Sequence, residues 1–108
     1  VLANLLGVAE IVALCERNGV DPALVRSVLL GGTSRSAVLE VHALRVIERN
    51  FTPGFKAELM LKDLRLARAL EQGSGVEPRV TALAEPLLAR LVEEGRGGLD
   101  WTAMAVPK

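Results

Sequence analysis

The residues best equipped for chemistry lie between Asn50 and Arg65. There a Pro53-Gly54 turn delivers Phe55 to the start of a helical stretch carrying Glu58, Lys62 and Asp63. Proline presets φ and glycine accepts positive φ, so the pair marks a tight turn that sets how the aromatic approaches its helix. From Arg35 to Arg68 there are seven basic and four acidic residues, a local positive excess in a chain with 13 of each. An aromatic, a lysine and an aspartate at a helix entry can line a cleft for an anionic ligand. The same spacing also has a structural use. Glu58 and Lys62 stand i, i+4 in the favourable order for a surface ion pair, worth roughly 0.2–0.5 kcal/mol, with Phe55 as a core anchor.

Other constellations are weaker. Gly73-Ser74-Gly75 begins like a phosphate loop but follows a helical stretch and lacks a third glycine, so a linker is expected rather than a dinucleotide fingerprint. Ser34, Ser36 and His42 can be drawn as nucleophile and base, yet the serines sit at a helix start, where capping explains them, and no strand-turn-helix elbow surrounds them. His42 has no histidine or carboxylate at metal-ligand spacing, so no metal site is expected. Cys15 is the single cysteine, which rules out an internal disulfide and a cysteine-based zinc site; its apolar helical setting suits a buried thiol.

Five helices must position these groups. Leu2, Leu5, Leu6, Ala9, Val12 and Ala13 recur at helical spacing from Val1 to a stop at Asn18-Gly19. Asp21-Pro22 caps and opens a short second helix that ends at Gly31-Gly32. Thr33 and Ser34 are cap candidates for a third, with Val38, Val41, Leu44 and Ile47, reaching Arg49. A fourth runs from Lys56 to Gln72 with Leu59, Leu66 and Leu70 along one side. Glu77-Pro78 opens a fifth, to Glu94, with Val80, Leu83, Leu87, Leu88 and Leu91 inward and a kink expected at Pro86. Asp100 is placed as the N-cap of a sixth. No stretch alternates with period two, so the fold class is all-α, a helical bundle with short connections.

Composition agrees. The chain has 108 residues, half of them apolar and only 3% aromatic, so its core is built from Leu, Val, Ala and Ile. Zero net charge leaves no broad footprint for nucleic acid or an anionic membrane. The apolar start is too short for a membrane span and lacks a signal peptide's basic flank, so a cytoplasmic protein is expected. The chain begins without Met inside an amphipathic pattern, which reads as part of something longer.

The motif NFTPGFKAELMLKDLRLA resembles the signature of the C-terminal domain of the β-hydroxyacid dehydrogenases, an F-x-P-G-F turn followed by a helix bearing K-D-L-x-L-A. The flanking GVDPALVRSVLLGG, Glu10 in an A-E helix segment and GLDWTAM fit in order, so the resemblance spans nearly the whole chain. VLEVHALRVIERNFTPGF is similar to the branch acting on tartronate semialdehyde. The resemblance implies an all-α C-terminal domain over 1–108, shared with 6-phosphogluconate dehydrogenases, whose N-terminal Rossmann domain is absent here. It implies NAD or NADP as cofactor, a small 3-hydroxy acid or semialdehyde as substrate, and a homo-oligomer built through this domain. It places Lys62 at the cofactor near the nicotinamide, Phe55 beside the substrate, and Asp63 as the aspartate that helps hold the site and orient lysine side chains. The catalytic lysine is expected upstream of Val1, so the chain by itself is expected to be inactive.

A different class remains as the alternative: a non-catalytic helical interaction module, in its sharpest form a helix-turn-helix reader of DNA. Residues 21–49 offer two helices, a glycine-containing turn and Arg35 near the second helix, though Glu40 and Glu48 dilute the basic face such a reader needs.

Overall fold

The computed structural model describes residues 1–106. The chain divides into two compact units, Val1–Asn50 and Phe51–Lys108. Among the described residues there is no strand, only an isolated antiparallel bridge between Lys56 and Asp100. Among the described residues no helix is long and apolar enough to cross a membrane.

The first unit is built on α1 (Leu2–Arg17), which buries Leu5, Val8, Val12 and Cys15. These pack against a π-helical turn, Val38–His42, and the short α3 (Ala43–Glu48), which bury Val38, Leu39, Ala43 and Val46. Between them lies α2 (Pro22–Leu30), opened as expected by Asp21, whose carboxylate accepts from the Ala23 amide at 3.0 Å. The third helix starts later than Thr33-Ser34 predicts. Ser36 is the residue that caps, its hydroxyl accepting from the Leu39 amide at 3.0 Å. The widened π turn has a partner for its carbonyls: the Arg26 guanidinium donates to Leu39 O at 3.1 Å and Glu40 O at 2.6 Å. Val41, one of the apolar residues expected on the third helix, is exposed. The unit closes at Arg49, which takes φ 56° without being glycine, a conformation costing roughly 1–2 kcal/mol. Its side chain offsets part of that by donating to the carbonyl of Val46 and pairing with Glu16 at 3.0 Å.

The second unit consists of α4 (Ala57–Glu71), α5 (Val80–Glu93) and a 3₁₀ turn, Trp101–Ala105, packed on one another. Here the buried face of α4 is not the side that carries Leu59, Leu66 and Leu70. Ala57, Leu61 and Leu64 are buried, while Leu59, Leu66 and Leu70 are exposed. The helix has leucines on both sides, so periodicity alone cannot choose between them; contact with α5 and the 3₁₀ turn decides. In α5, Ala84, Leu88 and Leu91 are buried and Leu87 is partly so, but Val80 and Leu83 are exposed. That helix begins at Val80 rather than at Glu77-Pro78, a shift within ordinary end fraying, and it runs unbroken with Pro86 inside it.

Polar contacts lock the rotation of α4 against α5. Arg65 and Arg68 both reach Glu85, at 3.3 and 3.2 Å, and the Thr81 hydroxyl donates to the Glu71 carboxylate at 2.7 Å. Between the helices, Gly73 and Gly75 both take positive φ, at 77° and 83°, and the Ser74 hydroxyl donates back to Glu71 O. This stretch reverses the chain and does not build a phosphate loop.

Candidate functional site

The site is assembled from two segments of the second unit, residues 51–63 and 97–102. Residues 51–56 form no regular element, so their amides and carbonyls need partners from elsewhere. They find them on the stretch before the 3₁₀ turn. The Asp100 amide donates to Phe51 O at 2.9 Å and the Trp101 amide to Phe55 O at 2.9 Å. In return, the amides of Gly54 and Phe55 both donate to one oxygen of the Asp100 carboxylate, at 2.9 and 3.1 Å. The other carboxylate oxygen accepts from the Thr102 amide at 3.2 Å and from the Thr102 hydroxyl.

The N-terminus of α4 is satisfied by the same stretch. Lys56, its N-cap, makes no side-chain cap; instead the Ala57 amide donates to Leu99 O at 2.8 Å and the Glu58 amide to Gly97 O at 3.0 Å. The first free donors of a helix thus meet backbone carbonyls rather than a capping side chain. Gly97 is buried in this contact, and a Cβ there would lie 3.2 Å from Glu58 Oε2 and 3.3 Å from Val92 Cγ2.

Asp100 is the most deeply set ionisable group of the site, 1% exposed. Burial pushes its carboxyl up, but the hydrogen bonds from the Thr102 hydroxyl and from the Phe55, Gly54 and Thr102 amides outweigh burial and hold it below the usual carboxylate range. Asp100 does cap the turn that follows it, as expected, though that turn is 3₁₀. Its grip on Gly54 and Phe55 was not legible in the sequence, because the partners stand 46 and 45 residues apart. The nearest signal was the D-x-T spacing of Asp100 and Thr102, which announces a cap but not a distant partner. Gly54, for its part, is not among the residues with positive φ.

The three site residues expected from sequence fall on this frame. Phe55 has both backbone polar groups fixed, yet its side chain is not a core anchor; the residue is 37% exposed. Lys62 and Asp63 are exposed on α4. Adjacent helical residues diverge by about 100°, so the two sit on opposite flanks of the exposed Leu59-Leu66 stripe. Among the described residues neither forms an ion pair, and the expected Glu58–Lys62 pair is not made. The Lys62 ammonium is therefore available to an anion, with the half-open Phe55 side chain heading the same helix.

The other candidates separate from this frame. Ser36 caps, His42 ends the π turn and Cys15 is buried. No group of three His, Cys, Asp or Glu suited to a metal occurs among the described residues. Of the basic residues in the stretch from 21 to 49, Arg35 lies just ahead of the π turn and Arg26 is engaged with backbone carbonyls.

Comparison with known proteins gives concordant matches. A family described as "NAD-binding of NADP-dependent 3-hydroxyisobutyrate dehydrogenase" matches residues 1–107. The chain is 36% identical over 104 residues to 2-hydroxy-3-oxopropionate reductase of Escherichia coli, covering 96% of this chain and 36% of the relative. It is 29% identical over 107 residues to the NAD-dependent L-serine dehydrogenase of Pseudomonas aeruginosa, covering 93% of this chain and 36% of that one. Among solved structures, 3-hydroxyisobutyrate dehydrogenase from Salmonella typhimurium superposes with a TM-score of 0.85 at 20% identity, over 95% of this chain and 36% of that one. The Mycobacterium tuberculosis 3-hydroxyisobutyrate dehydrogenase with L-serine superposes with a TM-score of 0.80 at 24% identity, over 96% and 38%. The chain thus spans about a third of the length of the proteins it matches.

Proposed function

Because the chain belongs to the NADP-dependent 3-hydroxyisobutyrate dehydrogenase family, through a match over residues 1–107, we propose that it is the helical, cleft-closing part of an NAD(P)-dependent dehydrogenase acting on small 3-hydroxy acids. The reaction is hydride transfer between nicotinamide and a 3-hydroxy acid or its semialdehyde, with reduction of tartronate semialdehyde to glycerate as the leading case. The observation that carries this reading is Lys62: an exposed ammonium without an ion pair among the described residues, on the helix that Phe55 heads.

Each residue then has a role its chemistry suits. Lys62 holds a fixed positive charge for an anionic group of the cofactor near the nicotinamide end. Phe55 supplies an apolar wall beside the substrate and excludes water from that side. Asp63, on the other flank, orients a cationic side chain by charge-assisted hydrogen bonding. The unengaged Lys62 fits an anionic dinucleotide, whereas the Gly73–Gly75 turn does not suit its pyrophosphate, so most of the dinucleotide is held elsewhere. When bound, the nicotinamide supplies or takes up the hydride. A lysine acid/base outside this sequence handles the hydroxyl proton.

The exposed leucines of α4 support assembly into a homo-oligomer through this region. The lone buried thiol suits a reducing compartment, and we place the enzyme in the cytoplasm. The test, with an enzyme of full family length carrying this chain, is oxidation of NADH or NADPH by a semialdehyde and reduction of NAD+ or NADP+ by a 3-hydroxy acid, both followed at 340 nm. Turnover of tartronate semialdehyde is expected; no turnover of any 3-hydroxy acid or semialdehyde with either cofactor would remove the reading.

A further inference from the structure

We infer that Asp100, locked by Thr102, is the positioning residue that sets Phe55 in the substrate cleft; the inference rests on the reading of Phe55 just given. The segment 51–56 has no helix or sheet to hold it, and its conformation is imposed from 97–102. Two neighbouring amides, of Gly54 and Phe55, converge on a single oxygen of Asp100. The second oxygen is engaged by both the amide and the hydroxyl of Thr102, which is itself fully buried, so the carboxylate cannot rotate away from the turn. The Trp101 amide then takes the Phe55 carbonyl. Both backbone polar groups of Phe55 are thereby fixed by residues 100 and 101, and only its side-chain rotamer remains free.

An ordinary helix cap needs none of this. Asp21 caps α2 through a single local bond to Ala23, two residues away. Asp100 makes the equivalent bond to Thr102 and in addition reaches across the chain to the residue assigned to the substrate. It is 1% exposed, so it does not touch substrate itself; it acts through Phe55. Lys62 depends on a different support, the rotation of α4 set by buried Leu61 and Leu64 and by the arginine contacts to Glu85. Loosening the Asp100 clamp therefore loosens the substrate side while leaving the cofactor side in place. Such an effect follows from how steeply rates depend on preset geometry.

The experiment is steady-state kinetics of the full-length enzyme with tartronate semialdehyde and NADPH or NADH, alongside circular dichroism, for Asp100→Ala, Asp100→Asn, Thr102→Val, Phe55→Ala and the control Asp21→Ala. Asp100→Ala is expected to raise the semialdehyde KM at least tenfold with the cofactor KM within twofold. Asp100→Asn keeps an acceptor for Gly54 and Phe55 but turns an NH2 onto the Thr102 amide, and is expected to give a semialdehyde KM between those of wild type and Asp100→Ala. Thr102→Val removes the hydroxyl's share of the hold on the carboxylate, leaving the amide's, and is expected to raise the semialdehyde KM threefold or more, with Asp21→Ala unchanged. The inference is overturned if folded Asp100→Ala leaves the semialdehyde KM unchanged or weakens cofactor and substrate equally. Should Asp100→Ala not fold, an unaltered semialdehyde KM in Thr102→Val overturns it instead. If Phe55→Ala itself leaves that KM unchanged, the Phe55 reading has failed; if Phe55→Ala raises it and the clamp variants do not, the positioning inference alone has failed.

Discussion

Asp100 and Phe55 stand 45 residues apart and meet through the Phe55 amide, which donates to the Asp100 carboxylate at 3.1 Å, while the next amide, that of Trp101, donates to the Phe55 carbonyl at 2.9 Å. The turn that presents the aromatic is thus made by the far end of the unit, and the stability of the two is shared.

That sharing has a pH dependence. The Asp100 carboxyl is held below its ordinary value when folded, because hydrogen bonds outweigh burial. The stabilisation is fully present above the unfolded-chain value, about 3.9, and is lost as pH falls through the folded one. Asp100→Ala should cost about 1.5–3 kcal/mol at pH 7, the range for hydrogen bonds to a charged group. The gap in urea midpoint between wild type and variant should be flat from pH 5 to 7 and shrink below about pH 4. A gap that instead widens on acidification contradicts the assignment.

Gly97 offers a steric test of the same joint. Its φ is ordinary, but a Cβ would crowd Val92 at 3.3 Å and Glu58 at 3.2 Å while its carbonyl caps α4. The Glu58 carboxylate can swing away, but Val92 Cγ2 and Glu58 Cβ, at 3.3 and 3.4 Å, sit close to the backbone and have less room to give. Gly97→Ala should cost on the order of 1 kcal/mol, a drop of roughly 4–8 °C in Tm for a domain of this size. Gly98→Ala, with nothing within 4 Å of its Cβ, is the matched control and should leave Tm within about 1 °C.

The faces of α4 make opposite predictions. Leu64→Ala removes a buried side chain and should destabilise by about 2–5 kcal/mol, whereas Leu66→Ala should fall within about 0.5 kcal/mol. Denaturant titration of the two variants decides which of the two leucine-bearing faces of α4 is the buried one. Leu66→Glu should shift sedimentation toward smaller species if the exposed stripe joins copies of the enzyme; an unchanged distribution removes the stripe from the interface.

These cases also show where the sequence stops being informative. The boundaries of α1 and α2 were readable because their signals are local: Asn18-Gly19 at one end, Asp21-Pro22 and Gly31 at the other. The start of the third helix was misplaced because three hydroxyl residues, Thr33, Ser34 and Ser36, compete for one cap, and Arg26 reshapes the turn that follows from ten or more residues away. On α4, leucines on both sides left the buried face to be decided by α5. Phe55, Lys62 and Asp63 came from the resemblance, since spacing alone allowed an ion pair and a core anchor that the structure does not contain. Asp100 could be read as a cap but not as a clamp, because nothing in a linear pattern pairs residue 100 with residue 55.

The central claim is that Lys62 serves the cofactor, and the most direct measurement is the steady-state KM for NADPH or NADH of Lys62→Ala in the full-length enzyme, against wild type. Loss of a charge-assisted contact of about 1.5 kcal/mol predicts a rise of roughly tenfold, with helical content intact because Lys62 is exposed and forms no ion pair among the described residues. A folded Lys62→Ala enzyme with cofactor KM and kcat equal to wild type would contradict it.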